Sequence, residues 1–117
     1  MRVDVRMMNV PGSRALESYV RRRVGNALER LSHRVRGSLV RIWDENGPRG
    51  GVDMHCQIIV ALHPRGEVIV SEVSEDIYRT IDQVIPKLKK SVVRGIERRC
   101  DLRGRKGDRR ERGGLAA

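Results

Sequence analysis

Residues 2–31, RVDVRMMNVPGSRALESYVRRRVGNALERL, change hydrophobic period once, and that change decides how the rest of the chain is arranged. From Arg2 to Met7 apolar and charged residues alternate strictly, so Val3, Val5 and Met7 share one face of a half-buried strand. Pro11-Gly12 breaks the strand, and Ser13 is placed to cap a helix. Leu16, Val20, Val24, Ala27, Leu28 and Leu31 then recur at the spacings of an amphipathic helix of about five turns. A strand that leads into such a helix is the first half of a β-α-β unit, which closes right-handed with its two strands parallel.

The segments beyond it supply the remaining strands. Ser38 to Asp44 reads as the second, with Val40 and Ile42 on one face, and it ends in the turn-forming run Glu45-Asn46-Gly47-Pro48-Arg49-Gly50-Gly51. Val52, Met54, Cys56, Ile58 and Val60 alternate along a third strand, and His63-Pro64-Arg65-Gly66 forms a turn. Glu67 to Val73 is a β-branched fourth strand whose inward face stays open, because Val68 and Val70 compete with Ile69. Ser74 is placed to cap a second helix, and Glu75 and Asp76 put negative charge where the helix dipole favours it. Ile77, Ile81, Val84, Ile85, Leu88, Val92 and Ile96 carry that helix to about Cys100, with a kink expected at Pro86.

The expected fold is therefore α+β, in the order β-α-β-β-β-α, with two parallel helices packed on one face of a four-stranded sheet, a plan resembling a double-stranded RNA-binding domain. Such domains open their last helix with a basic cluster, whereas this one opens with Glu75 and Asp76. Residues 1–100 are expected to form one domain and residues 101–117 a flexible basic tail, since the latter offer almost no apolar surface to bury.

With 25 Lys and Arg against 15 Asp and Glu, the formal charge is +10, which makes a polyanion the leading class of partner. The first ten residues lack the continuous apolar run of a secretory signal, and no segment approaches a membrane span, so a cytoplasmic protein without a membrane partner is expected. In that reducing compartment Cys56 and Cys100 stay thiols with structural roles. His55 and Cys56 are neighbours on a strand and point to opposite faces, and no ligand spacing joins His33, His63 or Cys100 to them, so no metal is expected. No nucleophile, base and orienting group stand together in a known pattern, which leaves no catalytic residue, no cofactor and no small-molecule substrate to assign.

On the second helix Lys87, Lys90, Arg94 and Arg98 fall on one line roughly opposite the apolar stripe. Charged outer faces are common, but between Arg79 and Arg112 acids are too scarce to balance this one. The first helix adds Arg14, Arg21, Arg22, Arg23 and Arg30, and two parallel helices can merge their cations into one surface that neutralises phosphates. The chain has no Phe, one Trp and two Tyr, so recognition by shape and phosphate position is expected over base stacking. Trp43 shares a strand face with Arg41, away from the helices, where packing over neighbouring strand residues is the leading role and base stacking the alternative. Tyr78 borders the buried stripe and is expected to pack at the core edge.

The stretch Ser74-Glu75-Asp76-Ile77-Tyr78-Arg79-Thr80-Ile81-Asp82, followed by Lys87-Leu88-Lys89-Lys90, resembles the second-helix signature of the ribosome hibernation promoting factor family, also called ribosome-associated inhibitors or sigma-factor modulation proteins. Ala27-Leu28-Glu29-Arg30-Leu31, with Arg34, is similar to the end of that family's first helix, and the likeness covers about residues 1–100. The resemblance implies a factor that binds the decoding cleft of the small ribosomal subunit and inhibits translation under stress. It implies ribosomal RNA contacts at Arg22, Arg30, Lys87, Lys90 and Arg94, to which the spacing on the second helix adds Arg98. It also implies a short form without the dimerisation domain of the longer members, monomeric off the ribosome. Pro86 departs from the family's pattern. A general structured-RNA-binding protein and a protein-binding regulator of transcription are the alternatives.

Overall fold

The computed structural model describes residues 2–8, 10, 14–44 and 53–105, with side chains described through residue 98. The expected order is observed: β1 (Arg2–Met8), α1 (Arg14–Leu28), a 3-10 helix (Glu29–Arg34), β2 (Val35–Asp44), β3 (Met54–Leu62), β4 (Glu67–Ser74) and α2 (Ile77–Arg105). The strands lie in sequence order, with β1 parallel to β2 and the β2–β3 and β3–β4 pairs antiparallel. β4 thus points the same way as β1, and each helix returns across the sheet after one of them, so α1 and α2 run parallel.

Alternation decides the layers. Val40, Ile42, Cys56, Ile58, Val60 and Leu62 are buried towards the helices, and Val68 and Val70 rather than Ile69 complete the inner face on β4. Leu16, Val20, Val24 and Leu28 of α1 and Ile81, Val84, Ile85, Leu88 and Val92 of α2 close over them. Each such side chain contributes about 1.5–3 kcal/mol through burial. Gly95 lets α2 approach closely, since a Cβ there would lie 3.0 Å from Val68 Cγ2 and 3.3 Å from Leu62 Cδ1. The turn between β3 and β4 is the expected one, with a cis His63–Pro64 bond and Gly66 at φ 115°, a left-handed conformation that suits glycine.

Four details differ from the sequence reading. The α-helical geometry of the first helix stops at Leu28, and Glu29–Arg34 winds more tightly into β2 while Leu31 still packs on the core. β2 begins at Val35, ahead of the expected Ser38, because His63 donates to the Arg34 carbonyl at 2.8 Å and extends the ladder. β3 ends at Leu62, two residues beyond the expected Val60. The second helix passes the expected end at Cys100 and continues to Arg105, through a stretch in which Leu102, Arg103 and Arg105 are good helix formers. Residues 101–105, assigned above to the tail, are therefore helical, and the Ser13 cap, the loop at 45–51, the expected strand start at Val52 and residues 106–117 lie outside the described residues. Pro86 does not break α2: it stands on the exposed side, where water can serve the Asp82 carbonyl that loses its donor.

Cys56 is buried, 1% exposed, and burial pushes its thiol up to about 12. A thiol with so little thiolate at neutral pH is expected to resist iodoacetamide in the native protein and to react once the chain is unfolded. Peptide mapping after labelling checks this, and rapid native labelling of Cys56 contradicts the packing described.

Candidate nucleic-acid interface

The start of α2 is held by three short polar residues of the segment that carries the family likeness. Asp76, not Ser74, is the cap: its Oδ1 accepts from the Tyr78 N–H at 3.0 Å. Ser74 Oγ accepts from the Asp76 N–H at 3.3 Å and lies 2.7 Å from Thr80 Oγ1. Thr80 is fully buried, with its hydroxyl 2.9 Å from the Asp76 carbonyl oxygen and 3.2 Å from that of Met54. These contacts bind the first turn of α2 to the ends of β3 and β4, so Ser74, Asp76 and Thr80 position the helix.

Tyr78 and Asp82, one turn apart, do the same towards α1. Tyr19 donates to Asp82 Oδ1 at 2.5 Å, and Arg23 donates to the same oxygen at 3.0 Å. The hydrogen bond to Asp82 holds the Tyr19 hydroxyl above its ordinary pKa. The Tyr19 and Tyr78 rings meet edge to face at 5.0 Å. Tyr78 is 42% exposed, so it covers Tyr19 at the surface and does not pack at the edge of the core. Tyr19 and Asp82 each lie five residues into their helices, as parallel helices of matched start require.

With the helices fixed, the cations sort into bound and unbound sets. Arg21 pairs with Glu17 at 2.9 Å and donates to the Val3 carbonyl, which ties α1 to β1. Arg23 is taken by Asp82. Lys87 reaches the sheet edge, 2.8 Å from Glu72 and 3.1 Å from the Ser71 carbonyl oxygen. The remaining expected contacts, Arg22, Arg30, Lys90, Arg94 and Arg98, are exposed and form no ion pair among the described residues. Arg22 lies over the Tyr19 ring at 5.9 Å, on the outer side of α1.

The contacts of Lys87 also orient the stripe. Because Lys87 reaches β4 while Tyr78 and Asp82 face α1, the line from Lys87 through Arg98 leans away from α1. Lys89, two turns on from Asp82, stands on the α1 side and is exposed. Strands of eight to ten residues span ~26–33 Å, whereas the 29 residues of α2 span ~43 Å. The end of α2 past Arg98 therefore outruns the sheet, in a molecule 51 Å along its longest axis.

His55 and Cys56 do face opposite sides, half-buried outward and buried inward. No three His, Cys, Asp or Glu side chains gather as a metal site among the described residues. No helix among them is long and apolar enough to cross a membrane.

A ribosomal subunit interface protein from Coxiella burnetii has a similar structure, with a TM-score of 0.66 and 18% identity over 80% of this chain and 96% of that one. The N-terminal domain of Protein Y from Thermus thermophilus superposes with a TM-score of 0.66 and 23% identity, over 80% of this chain and 98% of that one. A comparison with curated proteins gave no match. Residues 3–100 match the family described as sigma 54 modulation protein / S30EA ribosomal protein, a span that reaches from the second residue of β1 into α2, five residues short of its end. The chain belongs to the sigma 54 modulation protein / S30EA ribosomal protein family.

Proposed function

We propose that the protein is a ribosome hibernation factor that binds the decoding cleft of the small ribosomal subunit and inhibits translation under stress, without catalysis and without a cofactor. The observation that carries this reading is the outer surface of the helical layer. Lys90, Arg94 and Arg98 follow one another along α2 with no carboxylate partner among the described residues, and Lys89 and Arg22 extend the same charge towards α1. Fixed cations on a rigid pair of helices suit fixed phosphates of folded RNA, because they meet the backbone without reordering. Arg30 and Lys87 border this surface, and Lys87 joins RNA only by sharing or leaving Glu72. The likeness to a ribosomal subunit interface protein supports the ribosome as the source of that RNA. A monomer suffices for such docking in the cytoplasm.

The test is cosedimentation of the purified protein with small subunits, alongside inhibition of a cell-free translation reaction. Binding is expected at low salt and is expected to weaken steeply as salt rises. Five phosphate contacts give a log-log slope of about −4, a loss on the order of a hundredfold or more between about 50 and 200 mM salt. Absence of binding at low salt refutes the proposal, and binding with a flat salt dependence refutes the phosphate-based surface.

A further inference from the structure

The sheet has a second face, turned away from the helices, and its side chains fall in register across all four strands. One row reads Met8, Trp43, His55 and Val73. The next reads Arg6, Arg41, Gln57 and Ser71. Trp43 and His55 are stacked, with centroids 5.0 Å apart and planes 7° from parallel, and the Arg41 guanidinium lies 5.9 Å from the centre of the Trp43 ring. Met8 and Val73, at the two ends of that row, are each 45% exposed.

We propose that this face is a second RNA-binding site, one that takes unpaired nucleobases of a single strand. A flat base extends the Trp43–His55 stack at either end, covering Met8 or Val73, and gains area that a phosphate alone cannot use. The charge pattern indicates the same ligand independently. Arg6 and Arg41 are direct cross-strand neighbours, and neither pairs with a carboxylate among the described residues. Like charges placed opposite one another destabilise a sheet, and an anionic backbone between them removes that repulsion. Aromatic rings in one row and paired arginines in the next match a strand whose bases and phosphates alternate in the same way. The helical surface meets phosphates on the opposite side of the molecule, so the two sites can hold two RNA segments at once.

Trp43 is the sole tryptophan, so its intrinsic fluorescence reports on this site directly. The experiment titrates the full chain with single-stranded octaadenylate and with an abasic ribose-phosphate oligomer of the same length. Total binding is followed in parallel by anisotropy of labelled oligomer. The same titration is run on a variant with Lys90, Arg94 and Arg98 changed to Glu, which removes the helical surface. Octaadenylate is expected to quench Trp43 in both proteins, while the abasic oligomer leaves the emission unchanged. His55→Leu and Arg41→Gln are each expected to weaken octaadenylate binding about tenfold, the scale of one stacked base, with the thermal midpoint within a few degrees of the parent. Equal quenching by the abasic oligomer, or RNA binding without any change in Trp43, overturns the proposal. So does a shift in Trp43 emission with protein concentration alone, accompanied by dimers in sedimentation, which would assign the face to a second copy of the chain.

Discussion

Changing Lys90, Arg94 and Arg98 together to Glu is expected to lower the affinity for small ribosomal subunits by about a hundredfold or more and to abolish inhibition of cell-free translation. Three phosphate contacts at even ~1 kcal/mol each amount to about that factor. The three side chains are exposed and unpaired among the described residues, and Glu is a good helix former, so the fold is expected to survive. Lys87 is left in place because Glu there would face Glu72 and confuse lost binding with lost structure. The control reverses Lys106, Arg109 and Arg110, three basic residues outside the candidate surface, which changes net charge equally. A docking surface predicts that the helix variant loses far more than the control in cosedimentation. Equal losses would mean that only total charge matters.

The largest effect on stability is expected at the contact between α2 and the sheet. Leu88 is 0% exposed and sits midway along the buried stripe of α2. Leu88→Ala is expected to cost about 2–5 kcal/mol, from lost transfer energy and the cavity left behind. In a domain of this size that lowers the thermal midpoint by about 10 °C or more. Val93, on the same helix but 41% exposed, is the comparison, and Val93→Ala is expected to change stability by about 0.5 kcal/mol or less. Chemical denaturation of the two variants checks the pair, and similar losses at both sites would show that α2 is not packed as described.

Hydrophobic period made most of the fold legible. Strict alternation in β1 and β3 and the three-and-four spacing in both helices each name a buried face, and a β-α-β passage has one favoured hand. β4 was ambiguous for a physical reason: Val68, Ile69 and Val70 are all apolar and β-branched, so only pairing with β3 decides which of them face the helices. Element ends were less legible, because they depend on partners distant in sequence. The Arg34 carbonyl needs His63 before β2 can start early, and β4, paired with β3, runs on through Ser74, so the cap of α2 falls to Asp76.

For the candidate interface, sequence alone determined that the chain is strongly basic, that Lys87, Lys90, Arg94 and Arg98 share one line of a helix, and that the segment from Ser74 to Asp82 carries the family likeness. Composition and 3.6 residues per turn suffice for these, and both are local properties. Tertiary structure decided which cations remain available. It gave Arg23 to Asp82, Arg21 to the Val3 carbonyl and Lys87 to Glu72. It also showed that Ser74, Asp76 and Thr80 anchor α2, and it brought Trp43 against His55 on the other face of the sheet. The reason is common to all of these: an ion pair, a cap shared between strands or a cross-strand stack is an energy between residues that only the packed layers bring within a few ångströms, and no periodicity within one segment encodes it.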